Sequence, residues 1–300
     1  MTVKLAVDSA VEEKILRVVG GINNLPTPPI VFSQIQKVLN NPNTSAFDIA
    51  AILQEDPAIS AKVLKLTNSA YYGLAREIES VRQAVVIVGI EAVKNLVLSA
   101  SVFDTFSKKQ IDKEFQDLFW RHSLAVAFAC RLLAHKLRAQ MSFDSEASFS
   151  AGMLHDIGKM VISVFMLQEQ KSIIGLMKTK TETPDHALEE EILGYNHGHI
   201  GALLGKHWKL PTKLIEAVNF HHFPQLNDSG NNLPYLVHLA DHLAHHTFDI
   251  DTGTRHFIEP LESSICGFVG IGVDDLFGYA NSLREEYGKS ETFMEMAKGL

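Results

Sequence analysis

Apolar residues recur at three- and four-residue intervals along almost the whole chain, as in Val31, Ile35, Val38 and Leu39, then Ile59, Val63 and Leu66, then Val93, Leu96 and Val97. A half-buried strand needs a period of two, so this spacing restricts the chain to helices with one buried stripe each, and an all-α fold is expected. Turn and cap residues keep those helices short. Asn40, Asn41 and Pro42 close one, Thr44 or Ser45 caps the next, Asp56-Pro57 puts a proline in the first turn of a third, and Ser80 starts a fourth. The polar stretch DTFSKKQIDKEFQ at 104–116 is the expected seam between an N-terminal helical part over 1–105 and a C-terminal helical domain over 106–300. Residues 227–234 and 249–254 are rich in turn formers and are expected on surface loops.

Three hundred residues with 46% hydrophobic content can bury one large or two modest cores, which excludes disordered and fibrous classes. The net charge of −8 is uneven: residues 1–105 carry 9 Lys or Arg against 10 Asp or Glu, and residues 106–300 carry 18 against 25. An acidic surface repels a phosphate backbone, so nonspecific nucleic-acid binding is not expected. Cys130 and Cys266 stand far apart in sequence, which supports neither a disulfide framework nor a thiolate zinc site; both are expected as small buried residues in a reducing compartment. Asp8, Glu12 and Glu13 interrupt the stretch where a signal peptide would be apolar, and no window reaches the length of a membrane span. A cytoplasmic protein without a membrane partner is the expectation.

A dispersed set of histidines and acids carries the chemistry. His122 precedes an amphipathic stretch expected to be helical from Ser123 to Leu137, and alone it would be an ordinary helix-start histidine. The segment SFSAGMLHDIGKMVISVF then places His155 and Asp156 in strongly apolar surroundings, where an unpaired carboxylate costs several kcal/mol or more. Something cationic must sit beside Asp156. Lys159 at i+3 is one candidate, as an ion-pair partner or as a charge that steers phosphate. In YNHGHIGALLGKHW either His197 or His199 could reach an ion, while His207 is expected to be structural. The doublet His221-His222 ends the helix IEAVNFHH, and neighbouring side chains on a helix diverge by about 100°, so the two would face different ions or one would only support the other. Asp241 lies in YLVHLADHLAHH, where His238 and His242 could simply hydrogen-bond it; that pair could also clip a metal of its own, and His245, His246 and His256 are expected at the surface.

Taken in order, His122, the LHDIGK run at 154–159, His197 four residues before Gly201, the His221-His222 doublet and Asp241 resemble the HD superfamily of metal-dependent phosphohydrolases. A longer resemblance, from Leu25 to about residue 245, is to the HDOD domain of bacterial signalling proteins. It runs through LPTPP at 25–29, DPAISAKVLKLTNSAYYG at 56–73, ESVRQAVVIVGIEAVKNLVLSAS at 79–101 and HWKLPTKLIEAVNFHH at 207–222. The full set of histidines and acids is similar to that of the HD-GYP phosphodiesterases that open cyclic di-GMP, although FPQLNDSGNNLP follows the doublet with no GYP tripeptide.

The resemblance implies an N-terminal helical bundle packed on an HD-type helical domain, with a two-metal hydrolytic site. His122, His155, Asp156 and Asp241 would hold one ion, and Asp156 would bridge to a second held by His197, His221 and His222. Asp156 and Lys159 would be the catalytic pair, the lysine neutralising phosphate charge. Nitrogen and carboxylate ligands fit divalent manganese, iron, cobalt, nickel or zinc, in two ions that polarise phosphoryl oxygens and acidify a water. The implied function is an HDOD-type signal transduction protein acting as a metal-dependent phosphohydrolase or phosphodiesterase, with a phosphorylated small molecule or nucleotide as substrate. The alternative is a non-catalytic regulatory scaffold that binds a signalling partner protein or a cyclic dinucleotide.

Overall fold

A computed structural model describes residues 13, 30–39, 41, 43–107, 111–248 and 257–298; the LPTPP run and His256 lie outside them. Every regular element among the described residues is a helix, so the fold is all-α. No single helix there is long and apolar enough to cross a membrane.

The chain forms two compact units. One takes Pro26–Lys109 with Arg284–Leu300, and the other contains Gln110–Leu283, so the changeover at 109/110 falls inside the polar stretch at 104–116 and the last residues return to the first unit. In that unit α1 (Ile30–Leu39), α2 (Ala46–Gln54), α3 (Pro57–Thr67), α4 (Val81–Val88) and α5 (Ile90–Ser107) follow one another with short links. The starts are set by side chains that satisfy otherwise orphaned amides: Ser45 and Asp48 form a capping box on α2, Asp56 accepts from Ala58 and Ile59 at α3, and Ser80 accepts from Gln83 at α4. The apolar stripes read from the sequence supply the core, with Ile35, Leu53, Val63, Leu66 and Val97 buried, and the helix Glu291–Ala297 packs on α3 and α5.

The second unit carries α6 (Lys113–Lys136), α7 (Ser145–Leu154), α8 (Ile157–Phe165), α9 (Leu167–Met177), α10 (Asp185–Leu193), α11 (His197–His207), α12 (Thr212–Phe220) and α13 (Leu233–Phe248). Two sequence expectations need correcting. The helix expected from Ser123 begins at Lys113, because the Asp112 side chain accepts from the Phe115 amide and fixes the start there, which leaves His122 in mid-helix. The helix expected to run through His155 and Asp156 breaks at that pair, with His155 closing α7 and Asp156 preceding α8. Asp156 occupies the N-cap position without making a capping bond, so its carboxylate is free to face elsewhere.

Glycines let these helices approach closely. A Cβ on Gly152 would lie 2.8 Å from the Ala127 Cα and the Cys130 Sγ, which sets the crossing of α7 on α6. At Gly158 a Cβ would lie 1.9 Å from the His197 carbonyl oxygen and 3.0 Å from the Gly201 nitrogen, so α8 and α11 touch backbone to backbone. That crossing carries Asp156 to His197.

Candidate metal centre

Four helix ends and two helix faces converge in the second unit. His122 comes from the middle of α6, His155 and Asp156 from the α7–α8 break, His197 from the first residue of α11, His221 and His222 from the end of α12, and Asp241 from α13. Ligating atoms of Asp156, His197, His221 and His222 all lie within 4.8 Å of one another, as do those of His122, His155 and Asp241. Thus all seven metal ligands expected from the sequence are brought together in two adjoining groups.

Asp156 joins the groups. Its Oδ1 is 2.9 Å from His197 Nε2 and 3.7 Å from His221 Nε2, while its Oδ2 is 3.5 Å from His155 Nε2 and 3.6 Å from His122 Nε2. Lys159 sits on the same Oδ2 at 2.8 Å and lies 3.8 Å from Asp185 Oδ2, so the ion-pair and metal-bridge readings of Asp156 coexist in one geometry. Burial works against a charged Asp156, but His155, Lys159 and His197 outweigh it and hold the carboxyl well below its usual range. Burial likewise opposes the Lys159 charge, yet Asp156, Asp185 and Glu189 raise its affinity for the proton above that of an ordinary lysine.

Backbone carbonyls orient the rings. His155 Nδ1 donates to the Gly152 carbonyl at 2.7 Å, and His221 Nδ1 donates to the Val218 carbonyl at 2.7 Å, which leaves each Nε2 as a lone-pair donor when the ring is neutral. Glu189 Oε2 accepts from both the His197 backbone amide at 2.7 Å and its Nδ1 at 2.6 Å. His122 and His155 then face each other Nε2 to Nε2 at 3.3 Å, His197 and His221 at 3.3 Å, and His222 and His197 at 2.9 Å. Buried His122 Nδ1 and Asp241 Oδ1 have no hydrogen-bond partner, although His122 Nε2 approaches that oxygen to 3.1 Å. Converging lone pairs and an orphaned carboxylate oxygen are what a shared cation would satisfy, so the residues present fit divalent transition ions without thiolate.

His199 has a different role. It forms a capping box with Asn196, its amide donating to Asn196 Oδ1 and its Nδ1 accepting from the Asn196 amide, and this leaves His197 to face Asp156. His238 donates from Nδ1 to the His221 carbonyl at 2.7 Å, and His242 stands beside it with ring centroids 4.6 Å apart. His245, expected at the surface, is instead buried: i+4 from Asp241 on the inner face of α13, it puts Nε2 3.4 Å from Asp241 Oδ1 and its ring 4.6 Å from that of His122. His246 is exposed and stacks on Phe277. The sequence reading missed Glu189, Asp185 and His186, whose ring stacks on His222 at 4.3 Å. Their only signal was an acidic helix ahead of His197, and three consecutive glutamates there gave no means of picking Glu189.

The ring environments set a pH dependence for the metal-free protein. Burial lowers His199 and His238 to about 4, helped by His197 and His242 respectively, and it holds His155, His221 and His222 down as well. The unfolded chain therefore binds more protons below its histidine value near 6.5, so stability present above that pH is lost as pH falls toward 4. His197 runs the other way: burial disfavours its charge, but Glu189 and Asp156 raise it to about 9, so its contribution is complete below 6.5 and fades as pH rises through 9. Thermal melts of chelator-treated protein are expected to give the highest Tm near neutrality and a fall of several degrees by pH 5. His238→Asn should make the acid side shallower, and an unchanged slope would contradict the assignment.

The comparisons agree with this architecture. An uncharacterised protein of Treponema pallidum is 29% identical over 203 residues, which are 67% of this chain and 38% of that protein, so the chain spans well under half the length of this curated relative. A solved candidate phosphohydrolase from Shewanella amazonensis is 27% identical with a TM-score of 0.71, the match covering 94% of this chain and 97% of that one. A solved candidate signal transduction protein from Marinobacter aquaeolei has a TM-score of 0.77 at 19% identity, covering 99% of this chain and 67% of its own. Residues 25–224 match the family model described as the HDOD domain, and with two thirds of its length under that match, the chain belongs to the HDOD domain family.

Proposed function

We propose that this HDOD protein is a metal-dependent phosphohydrolase of a signalling system, with two divalent transition ions held by His122, His155 and Asp241 on one side and by His197, His221 and His222 on the other. The observation that carries this reading is Asp156, whose two oxygens each face one of the two groups. When bound, such a pair of ions polarises phosphoryl oxygens and makes a water nucleophilic at neutral pH. The protein's own residues do the rest. The Gly152 and Val218 carbonyls and Glu189 hold the rings with Nε2 directed inward. Lys159, mostly buried and reaching Asp156, is the cation available to neutralise a phosphate, and the substrate class is a phosphorylated small molecule or nucleotide.

The test is elemental analysis of protein purified without an affinity tag, followed by phosphatase and phosphodiesterase assays with added manganese. More than one equivalent of transition metal and turnover that a chelator removes are expected. Less than about half an equivalent would count against the centre. The Lys159–Asp156 ion pair favours a second reading, in which the lysine permanently supplies the neutralising charge and the protein acts as a partner-binding module. Under it, protein given manganese would stay metal-poor and inactive while still capturing a signalling partner or a cyclic dinucleotide.

A further inference from the structure

A cavity of about 320 Å3 lies against the far side of Lys159. It exists because the chain turns sharply at Met166, whose φ of −129° and ψ of 51° are not helical, so that Leu167–Met177 is bent by 114° from the helices before it. The apolar wall is made by Ile162, Leu167, Ile173, Ile174 and Met177, with Phe115 from α6 opposite, and Leu167 is 55% exposed at the rim. The inner end is Lys159, Asp185 and Glu189, and the outer rim carries Asp112, Glu114 and Lys171.

This inner end is also the back of the metal centre. Lys159 reaches Asp156, Glu189 holds His197, and Asp185 lines both this cavity and the small cleft over His222 and Asp241. A volume in the range of small-ligand sites, mostly apolar walls and a few convergent polar groups are the features of a site for an organic molecule. Lys159, on the side of the metal centre, is the cation at the inner end, where Asp185 and Glu189 flank it; the second lining cation, Lys171, is exposed and stands with Asp112 and Glu114 at the mouth. An anionic group would therefore be accepted at the lysine, and a neutral ring with amino donors would be accepted beyond it.

Resting on the phosphohydrolase reading, the geometry points to this cavity as the site for the organic body of the substrate, an apolar ring system carrying amino hydrogen-bond donors, with its phosphate directed past Lys159 toward the metal centre. The probes are adenosine 5′-monophosphate, ribose 5-phosphate, which lacks the ring, and adenosine, which lacks the phosphate. Calorimetry on zinc-loaded protein is expected to show the monophosphate binding at least tenfold tighter than ribose 5-phosphate. Ile174→Trp, which fills a cavity that none of the seven candidate ligands lines, should remove that advantage while leaving ribose 5-phosphate unchanged. Leu167→Ala at the exposed rim, where folding is not at risk, should reduce it at least threefold.

Equal binding of the two phosphates, or an advantage that survives both substitutions, overturns the proposal. Adenosine binding to metal-free protein, followed by NMR, separates the two failures. If no metal is taken up but adenosine binds and Ile174→Trp abolishes it, the cavity assignment stands and the hydrolase reading falls. If metal is taken up and adenosine causes no shifts in residues of α9, the cavity assignment falls alone.

Discussion

Asp156→Asn is expected to strip the protein of the proposed metal and of the proposed turnover while keeping the side chain's size. Asparagine still offers one oxygen, but it cannot present two anionic oxygens to the two groups of histidines, so both groups lose their common charge. Substituting residues that merely support ligands costs about 10–100-fold in metal affinity, and Asp156, as the proposed bridge between two ions, should exceed that range. A fall of at least about 1,000-fold in turnover is expected, comparable with the upper end for removing one electrostatic stabiliser. The substitution has a second consequence that does not depend on metal. Lys159 would keep its buried ammonium while losing its closest anion, and breaking a buried pair in this way costs about 3–5 kcal/mol. Thermal melts of chelator-treated protein should therefore show a lower Tm for Asp156→Asn than for the parent. Retained metal with an unchanged Tm would mean that Asp156 carries neither role.

What the sequence could reveal about this site depended on whether a cost was local. A carboxylate at 156 or 241 in an apolar stretch announces itself, because its burial has to be compensated whatever the fold, and both residues lie in the centre. The helical class was legible for a similar reason, since a buried stripe repeats along each helix. The break at His155 and Asp156 was hidden, because a residue in the N-cap position whose side chain turns inward leaves no capping signature. His245 was misplaced because its burial is decided by α6 packing against α13, a contact between residues more than a hundred positions apart. Glu189 stayed hidden among three neighbouring glutamates until the fold turned one of them toward His197. The choice between His197 and His199 likewise waited on Asn196, which occupies the second histidine in a cap.

Gly158→Ala should be the most damaging single methyl in the second unit. A Cβ there would stand 1.9 Å from the His197 carbonyl oxygen and 2.7 Å from its carbonyl carbon, and both are backbone atoms that cannot swing aside. Overpacking a core costs about 1–3 kcal/mol where side chains can adjust, so a clash that must move a whole helix is expected at or above the top of that range. The helix that would move begins with His197, which ties the stability loss to the proposed metal centre. The variant should melt at least several degrees lower and, where folded, bind metal more weakly than the parent. Gly175→Ala provides the contrast, because α9 leaves open space around that position and alanine is the better helix former by about 1 kcal/mol. A Tm raised at 175 and lowered at 158 would locate the effect in the contact between α8 and α11 and not in helix propensity, since propensity alone favours alanine at both positions. Equal, small changes at both would mean that α8 and α11 are free to separate, and that the short distance from Asp156 to His197 is held by the centre itself instead of by the glycine crossing.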